Sequence, residues 1–180
     1  MMIYYIMVSK TLSNFDMDKF LGHKSNILTY KDLKKFDNID EALKNYGYII
    51  LLYLTKDNFG HWTLIFKYDK NTIHFFDSYG LKPDSQIKFI PPVYKIKNGL
   101  SIPYLTYLLY NSGYHVKYNE FQFQQKKNYI ATCGRHVLFR LINKDLDEYQ
   151  YKKLLDILKK RYNFKNYDDL IVYLTNDNLE

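Results

Sequence analysis

Three apolar runs of strand length follow one another within about thirty residues: "YIILLYL" (48–54), "HWTLIFKY" (61–68) and "TIHFFDSYG" (72–80). The first is continuous, which predicts an interior strand covered on both faces. The other two are parted only by Asp69, Lys70 and Asn71, so they predict a hairpin. This block predicts a sheet in the middle of the chain. "FDNIDEALKNYG" reads as a helix capped by Asp37 or Asn38 and leaving at Gly47. "SIPYLTYLLYNSG" reads as a short helix with a Ser cap, an early proline and an exit at Gly113. "LKPDSQIKFIPPVYKIKNGL", broken by Pro91 and Pro92, reads mostly as loop, and "YHVKYNEFQF" alternates as a strand. Amphipathic helices are expected around 148–161 and 166–175. Strands interleaved with helices in this irregular order predict an α+β domain, a mixed central sheet packed by helices. With no repeat or long linker, residues 1–180 read as a single domain, long enough to bury roughly two-thirds of its unfolded surface.

The chain holds one cysteine, Cys133, so an internal disulfide is excluded and a reducing, intracellular compartment is expected. "YGYIILLYL" and the opening "MMIYYIMV" are too short to span a bilayer. The opening lacks a basic flank and a small-residue cleavage site, so it reads as a strand and not as a signal peptide. Lys and Arg exceed Asp and Glu by 26 − 19 = 7. A basic balance is compatible with nucleic acid. Here, however, "KDLKK", "QQKKN" and "YKKLLDILKKR" are scattered clusters that read as solvated faces.

Cys133 lies in "YIATCGRHVLFR". Thr132 can cap a helix start, Gly134 lets a backbone or a substrate come close, and "HVLFRLI" continues as a largely apolar helix suited to a core. A helix N-terminus favours the thiolate, the nucleophilic form of cysteine. Free cysteine is also a common small buried hydrophobe, and the local context leaves both roles open.

A thiol nucleophile needs a base, and the base an orienting group. Of His23, His61, His74, His115 and His136, only His136 follows Cys133, one helical turn on. His61 stands at the expected mouth of a strand after "NFG" and before Trp62, with Asp77 sixteen residues downstream. A three-residue turn, Asp69 to Asn71 with Asn71 left-handed, pairs Tyr68 with Thr72 and sets His61 diagonal to Asp77 on one face. A two-residue turn puts them on opposite faces. His74 points away from Asp77 and reads as a packed strand histidine, His115 lies on an alternating strand, and His23 is in a loop. His136 at i+3 from Cys133 could form half of a metal site with His61 and Asp77, an outside reading. The backbone N–H of Cys133 and an amide from Gln122, Gln124 or Gln125 could hold an oxyanion.

"GHWTLIF", "FFDSYG", a glutamine and "TCGRHVLFRL", in that order, resemble the adenovirus-protease and SUMO-protease group of cysteine peptidases. The pattern looks closest to the capsid-maturation proteases of virophages and large DNA viruses. The resemblance covers about residues 45 to 145. It implies a circularly permuted papain-like fold with the cysteine at the N-terminus of a central helix. It also implies His61 as general base, Asp77 as its orienter, Cys133 as nucleophile and Gln125 as oxyanion donor, with Gln124 competing. Trp62 and Gly134 would contact the substrate, narrowing the cleft toward Gly-Gly and Gly-x sites. No metal or other cofactor is implied. The expected substrates are capsid or other structural precursors, cut by a monomer in host cytoplasm or viral factory and packaged in the virion, with DNA as a stimulant and no membrane partner. With no second cysteine, covalent activation through a disulfide-linked peptide, as in the adenovirus enzyme, is excluded. A SUMO-type deconjugase is the alternative within the same chemistry, and an inactive binding or structural relative is the alternative outside it.

Overall fold

The computed structural model describes residues 8–176, which group into two compact units. One unit comprises Asn26–Asp77 and Leu81–Asn119; the other comprises the described parts of Met1–Ser25 and Glu120–Glu180 together with Ser78–Gly80.

The first unit holds the whole sheet: β1 (Ile27–Thr29), β2 (Tyr48–Lys56), β3 (Phe59–Lys67), β4 (Thr72–Asp77) and β5 (His115–Tyr118), ordered β1-β2-β3-β4-β5. The two outer pairs are parallel and the two inner ones antiparallel, so the sheet is mixed, as expected of an α+β chain. All six residues of β4 and seven consecutive residues of β3, Gly60 to Phe66, are buried, which is why these strands read as apolar runs without alternation. β5 is an edge strand whose residues alternate between exposed and half-buried. It covers only four of the ten residues expected to be extended.

One sheet face carries Ile49, Leu51, Tyr53, Ile65, Ile73 and Phe75. Over it pack a 3-10 turn (Tyr30–Lys35), the helix α1 of this unit (Ile39–Leu43) and a second helix, α3 (Tyr104–Tyr110), through Tyr30, Leu33, Ile39, Leu43, Leu105 and Leu108. Asn38 caps α1, accepting the N–H of Glu41 at 3.0 Å, and Gly47 leaves in a left-handed conformation, as the sequence indicates. Residues 81–100 differ from the expected loop. They form a 3-10 turn (Ser85–Phe89) and a short helix, α2 (Pro92–Lys97). The prolines that suggested a break instead start the helix, where a missing N–H costs nothing. α3 begins at Tyr104 behind Pro103, without the expected serine cap.

The second unit is helical. Helix α4 (Asn14–Phe20) is closed by a capping box between Ser13 and Asp16. Helices α5 (Cys133–Ile142), α6 (Glu148–Arg161) and α7 (Tyr167–Asn176) follow the expected bounds closely. Nine of the ten residues of α5 are buried, so it is the core helix of its unit. The two arginines it buries are satisfied to different degrees, Arg135 Nε having no hydrogen-bond partner among the described residues. Arg140 donates to the carbonyls of Asn143 (2.6 Å) and Leu146 (2.7 Å), and Arg135 donates to Thr175 Oγ1 (2.9 Å). The strand expected over the first eight residues lies outside the described residues except for Val8, which packs with Ile130 and Val172.

Candidate functional site

The hairpin of β3 and β4 uses the three-residue turn. Thr63 stands opposite Asp77 and Lys67 opposite Ile73, and the N–H of Tyr68 reaches Thr72 O at 2.9 Å. Asn71 is not left-handed; the turn is held instead by Asp69 Oδ1, which accepts the Asn71 N–H at 2.8 Å. With this register His61, two residues from Thr63, shares a face with Asp77. The two side chains meet: His61 Nε2 lies 3.0 Å from Asp77 Oδ1, both groups buried. A proton on Nε2 satisfies this bond and leaves the lone pair on Nδ1, the nitrogen able to accept a proton.

Asp77 is held on every side within its own unit. Gln86 Nε2 donates to Oδ2 at 3.0 Å. Asn119 accepts the Asp77 N–H at 2.9 Å and donates to its carbonyl at 2.8 Å, so a side-chain amide stands where a neighbouring strand would pair. Neither Gln86 nor Asn119 is marked out by the sequence, since both act at the end of β4 from distant segments, a 3-10 turn and the residue after β5.

His61 is the third residue of β3 and does not stand at the mouth of a strand. β2 and β3 run on to Lys56 and from Phe59, leaving Asp57 and the left-handed Asn58 as the turn. Gly60 is required by this extension. A Cβ on it would sit 2.3 Å from Tyr53 O and 2.8 Å from Leu52 Cδ1. Gly60→Ala is therefore expected to push β2 from β3 and to destabilise the protein by about 1–3 kcal/mol. Urea denaturation reads this directly, and an unchanged midpoint would refute the close approach.

In the helical unit Cys133 opens α5 and is buried, 4% exposed. Gly134 beside it is buried as well. Thr132 does not cap the helix through its side chain; its Oγ1 donates to Asp168 Oδ1 on α7. Asp168 is fully buried and also accepts the backbone N–H (3.0 Å) and Nε2 (3.2 Å) of Gln125, with His136 Nε2 at 3.4 Å. Burial opposes its ionisation. The bond and electrostatic pull of His136, with the donations from Thr132 and Gln125, nevertheless hold its carboxyl below the usual carboxylate range. Gln124 is tied elsewhere: its Oε1 accepts from Ser78 Oγ at 2.7 Å and its Nε2 donates to Ile130 O at 3.3 Å. The Ser78 carbonyl accepts the N–H groups of both Phe123 and Gln124. Gly80 makes that strap possible. It is left-handed, and a Cβ there would lie 2.9 Å from the carbonyls of Glu120 and Phe121.

No family model matches the chain. It is 41% identical over 172 residues to "Uncharacterized protein V9" of Sputnik virophage, an alignment spanning 96% of this chain and 97% of that one. The chain belongs to the V9 family. Among solved structures, the central domain of the uncharacterized Lpg1148 protein from Legionella pneumophila superposes with a TM-score of 0.41 at 15% identity, over 94% of this chain and 96% of that one, a likeness too loose to build on.

In this V9-family chain the other candidates fall as follows. Trp62 is 2% exposed and, one residue after His61, belongs to the opposite face of the sheet. His74 is buried and stacks on Tyr68 at 4.6 Å, while His115 is exposed on the edge strand. His23 is exposed and bonded to Asp18 at 2.9 Å. Among the described residues no group of three or more His, Cys, Asp or Glu could hold a metal ion. No described helix is long and apolar enough to cross a membrane. Sequence reasoning missed Asp168. Its signal was present in "YDDLIVYL", where a carboxylate sits on the helical stripe of Ile171, Val172 and Thr175, all buried.

Proposed function

We propose that this V9-family protein is a cysteine endopeptidase of circularly permuted papain-like fold, cutting viral structural precursors at Gly-Gly or Gly-x sites. The observation that carries the reading is the buried bond from His61 Nε2 to Asp77 Oδ1, whose carboxylate is braced by Gln86. A histidine oriented by a carboxylate and left basic at Nδ1 is the working part of a general base. In this reading His61 Nδ1 takes the proton of Cys133 as Sγ attacks the scissile carbonyl. The tetrahedral oxyanion is stabilised by the Cys133 N–H and a glutamine amide. Collapse expels the amine, which leaves with the proton held by His61. Water, deprotonated by the same histidine, then hydrolyses the thioester.

Each of Gln124 and Gln125 engages one of its two amide N–H bonds, so each keeps a second to offer. Gln125 is assigned the oxyanion by its place in the motif. The virophage relative supports a viral role over deconjugation of a ubiquitin-like protein.

The test is mass spectrometry after exposure to a peptide electrophile ending in Gly-Gly. A single adduct on Cys133 is expected, formed far more slowly in His61→Ala. Equal labelling of the two proteins would sink the reading. Preference for an intact ubiquitin-like protein probe over the short peptide would favour deconjugation instead.

A further inference from the structure

We infer that Asp168 is a positioning residue that sets Cys133 and Gln125 in their working orientation, an inference that rests on the peptidase reading above. Its buried carboxylate gathers donors from three places: Gln125 through both backbone and side chain, Thr132 immediately before Cys133, and His136 one turn after it. Thr132 spends its hydroxyl on Asp168 and gives no side-chain cap to α5, so the start of the nucleophile's helix is fixed from α7. Among the described residues the buried His136 Nδ1 has no hydrogen-bond partner, so Asp168 supplies the polar contact that orients its ring, beside the packing of Phe123.

The effect on Gln125 is electrostatic. A flipped amide would turn its oxygen onto the carboxylate, so Asp168 admits only the orientation in which Nε2 faces it. One N–H is used there and the direction of the second is thereby set. A carboxylate is costly to bury, and shape alone would be served by an apolar or amide side chain. Four donors converging from both sides of the thiol and from the glutamine give it a reason to stay charged.

Asp168→Asn keeps the shape and removes acceptor capacity. Assayed on a Gly-Gly peptide well below its unfolding temperature, it is expected to lose on the order of ten- to a hundredfold in kcat with KM nearly unchanged. Combined with Gln125→Ala, it is expected to be no slower than the slower single variant, because both act through one amide. A packing role alone would lower the melting temperature and leave kcat of the folded enzyme intact. That result, or losses that multiply in the double variant, overturns the inference. If Asp168→Asn does not fold, Thr132→Val removes a single donor and carries the same readouts; undiminished kcat there is equally decisive against it. Should the wild type cleave no such peptide, the peptidase reading falls, and iodoacetamide labelling of Cys133 still reads the positioning. Labelling several-fold slower in Asp168→Asn sustains it, and equal rates reject it.

Discussion

Cys133→Ala is expected to reduce peptide cleavage to background, a loss on the order of 10⁴-fold or more, while the protein stays folded. The thiol is the only one in the chain, so no neighbouring sulfur can take over. Replacing it with a methyl group removes one buried atom from a helix whose other seven buried side chains and buried glycine are untouched, at a stability cost of about 1 kcal/mol. Melting temperature and turnover measured on the same sample separate the two effects. Retained turnover ends the peptidase reading. If the alanine variant unfolds, Cys133→Ser preserves the shape and is expected to be as inactive.

Asp77→Asn is expected to lower kcat by about 10²- to 10⁴-fold with little change in KM. The cause is a conflict of donors. Gln86 Nε2 and His61 Nε2 both point N–H groups at the carboxylate, and an amide has only one acceptor to offer them. If its oxygen faces Gln86, its NH₂ meets His61 and forces the proton onto Nδ1, the wrong tautomer for a base. If its oxygen faces His61, two NH₂ groups collide. Adding Gln86→Glu supplies an acceptor and is expected to recover part of the lost rate. His74→Ala and His115→Ala are the controls and should keep their kcat. A loss in either that equals the loss in His61→Ala would overturn the assignment of the base.

The hairpin and its pair were legible because strand geometry is discrete: given a turn of three residues, periodicity of two leaves His61 and Asp77 no choice of face. The helix of Cys133 was legible because a core helix leaves its mark in a long apolar run of neighbouring residues. What escaped was long-range. Asn119 substitutes for a strand, and Gln86 reaches Asp77 from a 3-10 turn that the flanking prolines disguised as loop. β1, only three residues long, carries too little pattern to stand out. Thr132 looks like a cap in isolation and is not one, because a carboxylate thirty-six residues on competes successfully for its hydroxyl.

That carboxylate also bears on timing during synthesis. A chain leaving the ribosome presents Cys133 well before Asp168, and at about 5–20 residues per second the interval is of the order of seconds. Until α7 emerges, Gln125, Thr132 and His136 have no common acceptor, and the start of α5 lacks its anchor. A nascent chain therefore carries the thiol without the arrangement around it. If the peptidase reading holds, a chain that has not yet made α7 would hold its nucleophile unanchored, so activity would follow the completion of that helix.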